Sequence, residues 1–167
     1  MKVMTARFGA IEIDDDKIIE MPEGVIGFTD RRFILLLPGN NGPFFWFQSL
    51  DDPAVAFVVT DPVVFFPAYE VNLTSEEYQK LAFSHESAEV ILLAVTTITQ
   101  GAKEITINLQ GPIVVNPAEM RAKQIVLESG KYGVKHPLFF VPETGTEVNQ
   151  GGLAVAQQKI LAICNSL

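Results

Sequence analysis

The 167-residue sequence predicts an all-β protein: a small antiparallel barrel-like domain with one short helix and a C-terminal helical extension. Three observations carry this expectation. Short apolar runs rich in Val, Ile, Leu and Phe recur roughly every 8–12 residues between clusters of Pro, Gly, Asn and Asp, the rhythm of strands joined by turns. The connections within residues 33–60 are too short to cross a parallel sheet. Ile105, Ile107 and Leu109 alternate with Glu104, Thr106 and Asn108, the period-two pattern of a strand with one wet face.

In chain order, the first strand candidates are the short segments 2–8, 10–13 and 18–21. The run 33–37 ends at Pro38-Gly39-Asn40-Asn41-Gly42-Pro43, residues that preset or tolerate turn dihedrals. Residues 44–49 run back, Leu50-Asp51-Asp52-Pro53 turns again, and 55–60 follows, which makes 33–60 a meander. Thr74-Ser75-Glu76-Glu77 is a capping-box signature, with Leu73 and Tyr78 spaced for a hydrophobic staple, and it predicts a helix from Ser75 to about Phe83. Residues 90–99 pair with 104–109 across Gln100-Gly101-Ala102-Lys103, and 113–115 and 124–127 complete the strand candidates.

Beyond residue 142 the pattern changes. Gly145 to Gly152 reads as a linker, and Leu153, Ala156, Ile160, Ile163 and Leu167 recur at helical spacing on one face. This divides the chain into a barrel domain, 1–142, and a linker with helical extension, 143–167. Three dispositions of the extension fit: docked on its own barrel, exchanged with a second copy, or loose.

Composition narrows the function. Hydrophobic residues make up 48% and charged residues 19%, enough apolar material for one buried core. The net charge of −8 argues against direct nucleic-acid binding and toward a basic protein partner. The acidity is uneven, with 6 basic and 13 acidic side chains in residues 1–80 against 6 and 7 thereafter. Arg121, Lys123, Lys131 and Lys135 gather in a short stretch opposed there by Glu128. Residues 1–10 show no secretory h-region and the longest apolar runs, 54–59 and 90–95, fall short of the ~20 residues of a membrane helix, so a cytosolic protein without a membrane partner is expected.

Catalytic motifs are not found. Gly24-Val25-Ile26-Gly27 lacks the third Gly and the Lys of a phosphate loop, and Asp14-Asp15-Asp16 lacks calcium-loop spacing, so both read as turns. His85-Glu86 and His136 have no nucleophile beside them, Cys164 has no charged neighbour to activate it, and Asp51-Asp52 precedes a turn proline. No enzyme activity, cofactor or metal is expected. The feature that suggests binding is Asp61-Pro62-Val63-Val64-Phe65-Phe66-Pro67, two large aromatics between two prolines. They serve either as anchors on a stiffened loop or as a cap on the barrel end.

Five segments in order give the chain a resemblance to the FliW family of flagellar assembly factors. They are Met21-Pro22-Glu23-Gly24-Val25-Ile26-Gly27-Phe28; Phe47-Gln48-Ser49-Leu50 with Ala56-Phe57-Val58-Val59; and Asp61-Pro62 with Phe65-Phe66 and Tyr69-Glu70. Asn108-Leu109-Gln110-Gly111-Pro112-Ile113-Val114-Val115-Asn116 and Gln124-Ile125-Val126-Leu127 with Tyr132 and His136-Pro137-Leu138 complete the set. The likeness spans residues 1 to about 140. It implies a non-enzymatic cytosolic protein that binds flagellin and, when released from it, binds the RNA-binding regulator CsrA and relieves repression of flagellin synthesis. Asp61, Pro62, Phe65, Phe66, Tyr69 and Glu70 are then the candidate partner-binding residues. Gly111 departs from the family, in which Ala often precedes the Pro-Ile pair. Two other classes remain: a small-ligand-binding barrel with Phe44, Trp46 and Phe57 lining a cavity, and a hydrolase using His136.

Overall fold

Alternation along the central meander sorts its side chains onto two faces, and the sheet curls until one face is enclosed. The computed structural model describes residues 1–39, 42–85, 88–99, 104–138 and 158–167. Its strands are β1 (Lys2–Thr5), β2 (Gly9–Glu12), β3 (Ile19–Glu20), β4 (Arg32–Leu37), β5 (Phe44–Ser49) and β6 (Ala56–Thr60). Helix α1 (Ser75–Lys80) precedes β7 (Ile91–Ile98), β8 (Ile105–Ile107), β9 (Ile113–Asn116), β10 (Arg121–Gln124) and β11 (His136–Pro137). A helical turn, α2 (158–163), leads into β12 (Asn165–Ser166).

The meander β4–β5–β6 is antiparallel, with Leu35 opposite Phe47 and Phe47 opposite Phe57. β6 pairs with β7 through Val59 and Val95. The other edge of β7 is shared: its first half pairs with β9 and its second half with β8. β9 pairs with β10, β10 meets β3 through Arg121 and Glu20, and β3 returns to β4 through Ile19 and Phe33. Seven strands, β3, β4, β5, β6, β7, β9 and β10, thus form a closed ring. An odd ring cannot alternate direction all the way round. One neighbouring pair must be parallel, and it is β10–β3. The barrel is therefore antiparallel except at its closure and where β12 lies parallel to β4.

Ring closure hides one face of each strand. Phe33, Leu35, Phe45, Phe47, Val59, Leu93 and Val115 fill the interior, with Phe33 stacked on Phe47 at 4.5 Å between centroids. Three patches cover the outside. The β1–β2 hairpin places Ile11, Ile13 and Phe8 over Ile34, Leu36 and Trp46. Leu81, at the end of α1, covers Val114. Tyr69 joins Ala94, Ile107 and Leu109.

Both barrel ends are plugged. At one, the loop after β3 inserts Met21 and Val25 while Phe28 packs edge-on against Phe57 at the start of β6. The reversal uses Gly24 and Gly27, whose φ values of +67° and +92° disfavour a Cβ. At the other, α2 inserts Ile160 and Ile163, and β12 runs along the end of β4.

Several element boundaries differ from the sequence expectation. α1 carries the predicted capping box, Glu77 N–H to Thr74 Oγ1 at 3.2 Å and Thr74 N–H to Glu77 Oε2 at 2.8 Å, but ends at Lys80 rather than near Phe83 because Ala82 turns to φ +58°. β1 stops at Thr5, whose hydroxyl accepts from Phe8 N–H and donates to the Gly9 carbonyl, folding 6–8 into the hairpin turn. The last barrel strand is Arg121–Gln124 instead of 124–127, because a strand with one face in water need not be apolar. The expected stripe to Leu167 breaks after Ile163: Leu167 is exposed, since Asn165 turns extended and bonds Glu12 and Asp14. Leu153, Ala156, the Gly145–Gly152 stretch and the 100–103 turn lie outside the described residues.

Candidate partner-binding site

β6 ends at Thr60, and the chain turns after Asp61 because Pro62 has no N–H for the ladder. Asp61 caps the 3-10 turn Pro62–Val64, its carboxylate accepting from Val63 N–H at 2.9 Å. Burial raises the Asp61 pKa above the ordinary carboxylate range, opposed by the Val63 bond and the positive charge of Lys159. Pro62 and Val64 are buried beneath the turn. Phe65 stacks on Phe44 at 6.0 Å, and Phe66 sets its face or edge at 89° to His136 at 5.0 Å.

Tyr69 is buried beside Tyr132, and its hydroxyl donates to the Leu109 carbonyl at 2.7 Å. Burial, with Tyr132 adding to it, pushes its pKa well up, so the hydroxyl stays a donor throughout the physiological range. Glu70 projects into solvent. The structure thus gathers Phe65, Phe66 and Tyr69 on one apolar cluster with Ile107, Leu109 and Leu138. Phe65 and Phe66 are half-buried, so each packs on the barrel and keeps part of its ring at the surface. Asp61 is spent on its own turn, and His136 forms a wall for Phe66.

A second surface was not singled out as a binding feature from sequence. Ile26 is 64% exposed and Phe28 41% exposed on the loop that plugs the barrel end. Gln124 fixes this loop, Oε1 accepting from Ile26 N–H at 2.8 Å and Nε2 donating to the Gly111 carbonyl at 3.0 Å. The available signal was the pairing of Gly24 and Gly27 around an aliphatic pair, which reads as a turn when taken alone. At Gly111 a Cβ would lie 3.0 Å from Gln124 Nε2, so the departure to Gly relieves a close approach.

Two carboxylates elsewhere are held by cations and backbone amides. Glu23 bonds Lys123 at 3.2 Å and Lys80 at 3.4 Å, and these bonds, that to Lys123 foremost, hold its pKa below the usual value. Asp51 accepts from the backbone N–H groups of Arg31 and Arg32 and from the Arg32 guanidinium. Although burial acts to raise its pKa, those bonds lower it overall. Phe44, Trp46 and Phe57 belong to three different clusters and do not line one cavity, with Trp46 lying under the Arg7 guanidinium at 4.2 Å. Burial raises the Cys164 thiol to about 12, against the pull of Lys17 and the Asn165 backbone. Among the described residues no group of His, Cys, Asp and Glu could hold a metal ion, and no helix is long and apolar enough to cross a membrane.

By architecture the molecule is a small closed β-barrel with plugged ends and half-buried aromatics on its proline-bounded loop. The sequence profile described as FliW protein matches residues 2–138, and the chain belongs to that family of flagellar assembly factors. A flagellar assembly factor FliW from Geotalea uraniireducens is 49% identical over 153 residues, covering 92% of this chain and 91% of that protein. One from Geobacter sulfurreducens is 50% identical over 139 residues, covering 83% and 87%. A crystal structure of the flagellar assembly factor FliW superposes with a TM-score of 0.76 at 34% identity, covering 85% of this chain and 99% of that one.

Proposed function

We propose that this chain is a non-enzymatic cytosolic factor that binds unsecreted flagellin and, once released from it, binds a CsrA-type RNA-binding regulator and relieves repression of flagellin synthesis. Membership of the FliW family across residues 2–138 is the observation that carries this reading. The net charge of −8 supports it, because an acidic factor meets a basic RNA-binding protein faster and with better selectivity than a neutral one. The 61–70 segment supplies the flagellin contact in this reading. Phe65 and Phe66 offer ring surface to an amphipathic segment, Asp61, Pro62 and Tyr69 hold them, and Glu70 offers charge to basic groups. Residues 143–167 extend the 1–142 barrel domain.

Calorimetric titration of the purified chain with flagellin and with CsrA, separately and in sequence, tests the proposal. Binding to each, with flagellin preventing the CsrA complex, is expected. In a three-component titration with RNA, excess RNA should fail to restore full CsrA activity, since the factor acts away from the RNA site. Absence of binding to both proteins, or simple displacement by RNA, overturns the corresponding step.

A further inference from the structure

The seat of the C-terminal segment is built by residues within the family span, whereas its occupant lies outside it. The profile match ends at residue 138, and α2 and β12 occupy residues 158–167. Ile160 and Ile163 are 0% and 4% exposed and belong to the interior cluster with Phe33, Leu35 and Phe45. β12 covers the length of β4 edge at Leu36 and Leu37 that β3 leaves unpaired. Polar clamps hold the segment at both faces. Lys17 Nζ donates to the Ala162 carbonyl at 2.6 Å, one of the unpaired carbonyls at a helix end. Asn165 Oδ1 accepts from Asp14 N–H and its Nδ2 donates to the Glu12 carbonyl. The Cys164 thiol faces the Leu35 carbonyl at 3.4 Å, and the Lys159 charge acts on Asp61, where the proline-bounded aromatic loop begins.

The seat accepts a defined chemistry: a helical turn with apolar side chains three apart, followed by an extended residue that adds to a sheet edge. An amphipathic segment of a protein partner has the same features. We propose that residues 158–167 are a releasable plug, and that the seat they fill is a docking site for an amphipathic helical segment of flagellin, which displaces them. This deepens the flagellin-binding reading and rests on it. The tail then sets a threshold for capture, because a tethered segment competes at high effective concentration.

Cys164, the single cysteine of the 167-residue chain, reports on the plug without any substitution. While docked its thiol is pushed up to about 12 and reacts slowly at pH 8, and release restores an ordinary thiol. Labelling by a disulfide reagent is followed alone, with saturating flagellin, and with a millimolar synthetic peptide of residues 156–167 carrying Cys164→Ser. At least tenfold faster labelling with flagellin and with the peptide is expected. The doubly substituted chain Ile160→Ser, Ile163→Ser should label rapidly from the start and bind flagellin at least fivefold more tightly. Flagellin binding that leaves labelling unchanged or slows it overturns the inference alone, as does a peptide that fails to accelerate it. Absence of any flagellin binding overturns the functional reading beneath it.

Discussion

Gln124 holds Ile26 in place across 98 residues of sequence, its Oε1 accepting the Ile26 amide at 2.8 Å while its Nε2 binds the Gly111 carbonyl. One carboxamide therefore ties the end-plugging loop to the close of β10 and the approach to β9. Gln124→Ala removes both bonds at a partly solvated site and should cost about 1 kcal/mol, a fall of roughly 2–4 °C in melting temperature. Hydrogen exchange at the Ile26 amide should quicken. An unchanged exchange rate would show that the packing of Met21, Val25 and Phe28 is enough to hold the loop.

Gly24 and Gly27 flank the same exposed aliphatic residue but differ in what a methyl group would meet. At Gly24 a Cβ would collide with Arg31 Nη1 and lie 2.9 Å from the Asp30 carbonyl oxygen, whereas nothing lies within 4 Å at Gly27. Gly24→Ala carries strain and collision together, about 2–4 kcal/mol, while Gly27→Ala carries backbone strain alone, about 1–2 kcal/mol. Thermal melting of the two variants checks the order.

Asp51 makes stability depend on acid. Its folded pKa is lowered, so the bonds from Arg31 and Arg32 stabilise the protein above the unfolded carboxylate pKa and are lost as pH falls through the folded value. Asp51→Asn should destabilise by about 1–2 kcal/mol at neutral pH. The variant and the parent should converge in melting temperature as pH falls through the lowered folded pKa of Asp51. A constant gap from pH 7 to pH 2 would mean that packing, not charge, explains the loss.

In the proposed flagellin-binding reading, Tyr69 supplies support and the Phe65–Phe66 pair supplies contact. Tyr69→Phe leaves the buried Leu109 carbonyl without its 2.7 Å donor and should cost about 1–2 kcal/mol with flagellin affinity little changed. Replacing Phe65 and Phe66 together with Ser should weaken flagellin binding more than tenfold. Because both rings are half-buried, the double variant also loses stability, so affinity is read well below its melting temperature. Undiminished affinity in the folded double variant would assign the rings to packing only.

Local chemistry was legible without coordinates. Thr74 and Glu77 announced their capping box, the turn residues of 38–43 and 50–53 separated the strands of the meander, and Asp61-Pro62 marked the end of β6. These depend on dihedral preferences and bonds reaching three or four residues along the chain. The segment pattern likewise pointed to the FliW family, which the profile match and relatives show.

What the sequence by itself determined is the alternation that sorts Phe33, Leu35, Phe45 and Phe47 to one face, because strand side chains change sides at every residue. The tertiary structure decided which strands close the ring. An odd count of seven forced β10 and β3 to run parallel, a condition that no strand carries alone. It also decided the fate of the C-terminal segment. Helical spacing predicted one apolar face ending at Leu167, yet the chain leaves the helix after residue 163 because the open edge of β4 and the Glu12 and Asp14 backbone bind Asn165. Those partners lie more than 120 residues away, and pairing with them outweighs the local preference to continue the helix.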